Sequence, residues 1–466
     1  MRLFILVVAA LASLHAQTPQ PATRARPTAL DRYVAAPVTA FAFRKVADLP
    51  ASGVSATVLE LTSQRWLTDA EVDRPVWTHW LVVYRPPTVR SDVALLYISG
   101  GTHTRPRPSR ANAVLARLAA EHGTITAELR MVPNQPLTLL DDPERKPREE
   151  DDLIAYTWDK YLRTGDEKWP LRLPMTKAAV RAMDAVTAWS ASADGGAAEV
   201  RHFVVSGGSK RGWTTWMTAA VDPRVVAIAP AVIDVLNVEP SFVHHWRAYG
   251  LWAPAVNDYV EHGIMNWMGT PQFKALMAIE DPWSYRDRLT MPKFLVNSAG
   301  DQFFLPDSSQ FYLDGLKGET LLRYIPNSDH SLDDTNAFDS LGAFYATVVN
   351  GRSRPALKWS RSEDGTLTVT TSTAPKTATL WTATNPSARD FRLETIGKVW
   401  RSTQLQASGP NTYATRVAAP RQGWTASFAE FTFDVGASRP LTITTDVHVA
   451  PETLPFPAPP QRSTKD

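Results

Sequence analysis

The 466-residue chain contains no cysteine. That excludes disulfide staples, thiolate nucleophiles and any metal centre built on sulfur. Charge imbalance is missing as well: 49 Lys and Arg stand against 47 Asp and Glu, a formal net charge of +2. No basic run of the kind that tracks a phosphate backbone occurs, so no nucleic-acid partner is expected. Histidine is sparse at 10 residues, and the adjacent pair His244-His245 does not suit a metal, because neighbouring helix positions face different sides. No metal and no other cofactor is expected. Long apolar runs are also absent, with one exception at the start. Leu3 to Ala12 follows the basic Arg2 and precedes Ser13-Leu14-His15-Ala16, the layout of a secretory signal peptide over residues 1–16. The run is too short to span a bilayer. A secreted or periplasmic protein without stable membrane insertion is therefore expected.

Hydrophobic residues make up 44% of the chain, ample for a large core, and the length calls for two domains. Residues 17–29 read as a Pro/Thr/Gln/Arg linker. Residues 30–351 alternate strand-like and helix-like segments, the pattern of an α/β fold with a mostly parallel sheet covered on both faces. Strands are predicted over 79–84, 93–98, 124–128, 199–205, 225–230, 293–297 and 320–325, and helices over 177–190, 210–220 and 336–349. Two insertions interrupt the pattern, at 132–174 and 236–289. From Pro355 short period-two segments take over, at 367–370, 377–382, 424–433 and 441–444, which predicts a small β-sandwich over 355–450. A Pro-rich tail, 451–466, is expected to be extended or disordered.

The densest chemical signal is Val204-Val205-Ser206-Gly207-Gly208-Ser209-Lys210-Arg211-Gly212. A β-type run drives into small residues, one serine and then a helix-compatible segment, as in a nucleophile elbow. The spacing is Gly-x-Ser-x-x-Gly, one residue longer than usual, with Arg211 where the last glycine is expected. Downstream, the strand at 293–297 ends in Gly300-Asp301, and the strand at 320–325 is followed by Asp329-His330. Ser, Asp and His in that order, each past the carboxyl end of a strand, is the α/β-hydrolase arrangement. A serine hydroxyl needs an imidazole to accept its proton and a carboxylate to orient that imidazole. Ser209, His330 and Asp301 fill these roles, with Asp307 and Asp329 as alternative acids. The backbone N–H of Lys210 is the expected first oxyanion donor; the second is expected from Gly101 or Thr102, after the strand at 93–98. The insertion 236–289 carries Trp246, Tyr249, Trp252, Tyr259 and Trp267 and sits where hydrolases place a lid. Trp252 and Trp267 are candidate substrate contacts, against the alternative that these rings are lid core.

Further segments carry a family resemblance: Trp66-Leu67-Thr68, Trp77-Thr78-His79-Trp80, Val132-Pro133-Asn134-Gln135-Pro136-Leu137, Ile154-Ala155-Tyr156-Thr157-Trp158, Pro174-Met175-Thr176-Lys177 and Ser209-Lys210-Arg211-Gly212-Trp213. With these the chain resembles the PhoPQ-activated pathogenicity-related proteins, which include the autocrine proliferation repressors of amoebae. The resemblance runs from about Leu30 into the C-terminal β-region. It implies an α/β-hydrolase fold with a serine triad at the residues named above. The elbow is also similar to that of glucuronoyl esterases, and a dipeptidyl-peptidase-like activity has been attributed to an amoebal relative. Within the shared motifs, Arg130 and Gln135 are candidate substrate-binding residues; the competing reading is that Glu128 and Arg130 form structural ion pairs, with Arg145 and Asp151 as possible partners. The expectation is an exported serine hydrolase acting through an acyl-enzyme on a small-molecule, glycan-ester or peptide substrate. A carboxylic ester is the first choice, a peptide bond the second, and a non-catalytic secreted interaction protein the alternative of another class.

Overall fold

A computed structural model describes residues 26–460. The predicted signal segment and most of the linker lie outside the described residues. Nine strands precede residue 330: β1 (Ala42–Leu49), β2 (Ser55–Arg65), β3 (Val76–Arg85), β4 (Val93–Ile98), β5 (Thr126–Leu129), β6 (His202–Gly208), β7 (Val225–Ala231), β8 (Lys293–Ser298) and β9 (Thr320–Ile325). They lie side by side in the order β1-β2-β3-β5-β4-β6-β7-β8-β9. From β5 to β9 every neighbouring pair is parallel, while β1, β2 and β3 pair antiparallel at one side. The parallel strands are short runs of Val, Ile, Leu and Phe, buried on both faces, as strands covered by helices on either side must be.

Helices α1 (Ala113–His122) and α2 (Ala337–Val349) cover one face, where Phe294 of β8 stacks on Phe344 at 5.3 Å. Helices α3 (Glu150–Thr164), α4 (Arg172–Ala191) and α5 (Lys210–Val221) cover the other. There Trp158 meets Trp213 edge-on at 6.1 Å. The segment between β7 and β8 is helical, with helices at Val238–Tyr249 and Pro271–Glu280 and shorter turns between them.

The C-terminal region departs from the predicted self-contained sandwich. It does hold two sheets. One is four-stranded, built from Leu357–Arg361, Thr366–Thr371, Thr412–Arg416 and Ala407–Gly409. The other, with Thr377–Asn385, Arg401–Gln404, Trp424–Phe433, Leu441–Thr444 and His448–Ala450, continues the central sheet past β9, making it 14-stranded. The junction is narrow: Thr444 faces Leu322, and its Oγ1 accepts the Tyr324 N–H at 3.0 Å. Arg323 of β9 also pairs with Glu430. This extension covers an edge that β9 would otherwise present to solvent. Residues 451–460 have no regular structure, but Phe456 N–H donates to Arg247 O at 3.1 Å on the helix Val238–Tyr249. Among the described residues no helix is long and apolar enough to cross a membrane.

Candidate active site

β6 ends at Gly208 and α5 begins at Lys210, leaving Ser209 alone to turn the chain. Its φ of 56° and ψ of −129° lie where L-residues are strained, and its N–H is held by Ala231 O at 2.8 Å. The flanking glycines permit this. A Cβ on Gly207 would meet Ile98 O at 2.9 Å, and one on Gly212 would meet Ala231 O at 2.9 Å. Both positions are closed to any side chain by backbone, so the longer Gly-x-Ser-x-x-Gly spacing makes a working elbow.

Past β8 and β9 two loops meet. Asp301 is 3% exposed; its Oδ2 lies 2.8 Å from His330 Nδ1, and its Oδ1 accepts the N–H of Phe303 at 2.7 Å and of Phe304 at 3.3 Å. Gln302 Oε1 accepts the His330 N–H at 3.1 Å. The Phe303 ring lies 4.4 Å from the imidazole, centre to centre. His330 Nε2 is buried and makes no hydrogen bond among the described residues. Nδ1 is therefore oriented by a carboxylate while Nε2 remains available. The two alternative acids are engaged elsewhere. Asp307 binds His244 at 3.1 Å and Arg389 at 2.5 Å; burial works against its ionisation, but the Arg389 guanidinium and the contact with His244 outweigh it and hold the carboxyl well below the usual range. Asp329 accepts from Ser331.

Lys210 and Gly101, the two candidate oxyanion donors, have backbone N–H groups without an acceptor among the described residues. Gly101 has φ 110°, a conformation open to glycine and little else. The Gly100–Gly101 loop is tied to the elbow by Arg211: its guanidinium occupies the space a Cβ on Gly100 would need, and its Nε donates to Val132 O at 2.5 Å. Arg211 and Lys210 both pair with Glu150, at the start of α3, and Lys210 Nζ also reaches Asp151 at 3.0 Å. Burial alone would raise the Glu150 pKa, but Arg211 and Lys210 reverse that and lower it. Gln135 takes the Glu150 N–H at 2.8 Å and donates back to its carboxylate. At 1% exposed, Gln135 orients Glu150 and has no free face for a substrate. Arg130 pairs with Glu128 at 2.7 Å in a depression shared with Gly101 and Trp80, the ion pair weighed for it above; the other suggested partners, Arg145 and Asp151, are not involved.

Ser209 lines a narrow pocket. Lys210, Trp213, Trp158, Asp151 and Arg172 line one side, and Phe303 and Phe304, the rings beside His330, line another. The segment between β7 and β8 contributes Phe242, Val256 and Tyr259. Trp252 and Trp267 are not in this wall. Trp252 packs against Phe242, His245 and Trp246, and Trp267 is half-buried against the core. Both rings are partly buried against the main core. His244 and His245 diverge: the first binds Asp307, while the second accepts the Ala253 N–H at 3.0 Å.

Three pocket residues had no readable signal in sequence. Asp151 stands in an acidic run that begins a helix, an ordinary place for carboxylates. Trp158 and Arg172 meet their partners only through tertiary contacts, Arg172 N–H reaching Glu280 Oε1 at 3.3 Å across 108 residues.

One buried acid lies behind the site. Asp234, after β7, accepts from Tyr312 Oη and, at 2.6 Å, from Tyr324 Oη. Burial pushes its pKa up to about 7, against the two phenol hydrogen bonds that pull it down. Between about pH 4 and 7 the unfolded chain has lost this proton while the folded one keeps it, so Asp234 lowers stability as pH rises through that window. Asp234→Asn is expected to gain thermal midpoint over the native protein by about a few degrees at pH 8, with a smaller gain at pH 5. An equal gain at both values in a melting series would show that the phenols hold the carboxylate charged.

Strand order, elbow and the loops after β8 and β9 define an α/β-hydrolase-type fold. The chain belongs to the PhoPQ-activated pathogenicity-related protein family, whose description "PhoPQ-activated pathogenicity-related protein" matches residues 30–392. It is 36% identical over 458 residues to "Autocrine proliferation repressor protein A" of Dictyostelium discoideum, covering 92% of each chain. Among solved structures it is similar to acetyl xylan esterase 1 from Thermoanaerobacterium sp. JW/SL YS485, with TM-score 0.47 and 15% identity, covering 69% of this chain and 91% of that one. It is also similar to an S-formylglutathione hydrolase from Agrobacterium tumefaciens, with TM-score 0.42 and 17% identity, covering 66% and 99%.

Proposed function

We propose that the protein is a serine hydrolase of carboxylic esters. The observation that carries this reading is the pairing of Asp301 with His330 Nδ1 at 2.8 Å while Nε2 stays unbonded, beside a pocket that holds Ser209 in strained elbow geometry. In the reaction, Ser209 Oγ attacks the ester carbonyl as its proton passes to His330 Nε2. Asp301 keeps the imidazole tautomer and stabilises its charge. The N–H groups of Lys210 and Gly101 receive the developing oxyanion. The tetrahedral species collapses, the C–O bond to the alcohol breaks, and His330 returns the proton to the leaving oxygen. Water, deprotonated by the same imidazole, then releases the acid and restores Ser209.

The test is fluorophosphonate labelling with peptide mapping, followed by matched ester and aminoacyl-amide substrates. Labelling at Ser209 with ester turnover is expected. Turnover of amides with the esters left intact would favour a peptidase. Absence of labelling would favour the non-catalytic reading, in keeping with a relative whose name is that of a proliferation repressor. The pocket wall gives a second expectation. Tyr259→Ala and Phe242→Ala should reorder kcat/KM among acyl chains by about tenfold while Ser209 labelling persists; a uniform loss on every ester would return these rings to the core. Residues 1–16 further suggest export, which amino-terminal sequencing of the mature protein from culture fluid or periplasm would test.

A further inference from the structure

Arg172 is an anomaly in the wall of the Ser209 pocket. Its side chain is 1% exposed, yet few of its five N–H donors are engaged. Nε makes no hydrogen bond and stands 3.4 Å from Glu280 Oε2, which is itself unbonded. Nη1 reaches only Lys210 O at 3.5 Å and Met175 Sδ at 3.7 Å. The guanidinium carbon lies over Trp213, 4.4 Å from the ring centre. Beside it, Trp158 Nε1 is also buried; it faces the Glu280 carboxyl without completing a hydrogen bond of good geometry. Both side chains line the cavity that contains Ser209. Buried donors are almost always satisfied, yet the Glu280 ion pair leaves this guanidinium without a hydrogen bond to a carboxylate. Burial raises the Glu280 pKa, against the opposing pull of Arg172 and Trp158.

The other cation at this pocket does not share the anomaly. Lys210 is saturated by Glu150 and Asp151. Most of the remaining wall is aromatic or aliphatic: Trp213, Phe242, Tyr259, Phe303 and Phe304. A group that fits must therefore have an apolar body and an anionic end that accepts from Arg172 and Trp158. A carboxylate matches the planar guanidinium fork.

We propose that Arg172, with Trp158, binds a carboxylate of the substrate, so that the preferred esters carry an apolar chain ending in a free acid. This rests on the reading of Ser209 as the nucleophile of that same pocket.

The kinetic test compares 4-nitrophenyl hydrogen succinate, glutarate and adipate with the neutral butanoate, pentanoate and hexanoate esters. The best half-ester should exceed its neutral counterpart in kcat/KM by about ten- to a hundredfold, the range of one charge-assisted hydrogen-bonded pair. In Arg172→Lys, which keeps the charge but loses the fork, that ratio should fall at least tenfold, whatever loss the two series share. Native preference for the neutral esters, or an unchanged ratio in Arg172→Lys, would overturn the proposal and leave the donors to a bound water only.

A binding arm separates this idea from the hydrolase reading. Glutarate should raise the melting temperature of Ser209→Ala protein, and Glu280→Gln in that background should strengthen the effect by removing the competing carboxyl. Glutarate binding without ester turnover would sink the hydrolase reading and keep the carboxylate site. Labelling of Ser209 with no response to glutarate, and none gained in Glu280→Gln, would do the reverse. Should Arg172→Lys fail to fold, the Glu280→Gln comparison still decides.

Discussion

Ser209→Ala is expected to lower kcat on any ester the native protein hydrolyses by on the order of 10^5- to 10^6-fold and to abolish fluorophosphonate labelling. The size follows from the chemistry. Without the hydroxyl no acyl-enzyme forms, and only the oxyanion donors and the pocket remain to assist water. The substitution should leave the fold intact, because the Ser209 hydroxyl makes no hydrogen bond among the described residues, and the turn is held by its backbone N–H to Ala231. Alanine relieves none of the φ 56° strain, so the melting temperature should change little. Labelling that persists in the variant, or maps to Ser206, would refute the assignment. Ser206 is a poor substitute, since its hydroxyl is buried and donates to Ala229 O at 2.7 Å.

Asp301→Asn is expected to cost about 10^4-fold in kcat with little change in KM. An amide at this position keeps the shape but can present its NH2 to His330 Nδ1, which selects the tautomer with the proton on Nε2. That tautomer cannot accept from Ser209. The loss should be strongly non-additive with Ser209→Ala, because both act on one proton transfer. Asp307→Asn makes the informative contrast. Its carboxylate holds Arg389 and His244 in a buried cluster, so its loss should fall mainly on stability, by about 3–5 kcal/mol if the guanidinium is left unpaired. Full stability with lost turnover in Asp307→Asn, and the opposite pattern in Asp301→Asn, would exchange the two roles.

The Asp307 cluster also explains why the C-terminal region belongs to the working unit. Arg389 enters from the segment after Asn385 and joins the helix Val238–Tyr249, through His244, to the loop that carries Asp301. Leu393 N–H donates to Gly300 O at 2.9 Å, and Trp400 exchanges two hydrogen bonds with Asn327, ahead of His330. Both loops bearing the Asp–His pair are thus pinned by residues that follow the parallel sheet in sequence.

Much of this arrangement was legible in the amino-acid order. The strands at 93–98, 320–325, 424–433 and 441–444 have the same limits in the structure, because continuous or alternating apolar runs bounded by turn residues leave the backbone little choice. The serine, the acid and the histidine were each marked by small or polar residues just past such a run. β1 and β2 were not anticipated, since Ala42–Leu49 is a largely exposed edge with charges along it and lacks the apolar pattern. The helix at Glu150–Thr164, hidden inside an insertion, was also missed.

Local sequence therefore determined the elements, the elbow and the loops that carry Ser209, Asp301 and His330, since φ/ψ preference and hydrophobic period act over a few residues. Partner choice was decided only by the tertiary structure. It settled that Asp301 and not Asp307 faces His330, that Gln135 and Arg130 bind acidic residues of the chain itself, and that Trp252 and Trp267 pack against the core while Trp158, Trp213 and Tyr259 form the pocket wall. It also leaves Arg172 beside Ser209 with donors to spare. Charges, hydrogen bonds and ring contacts depend on distances between residues far apart in the chain, and those distances exist only once the sheet has been assembled.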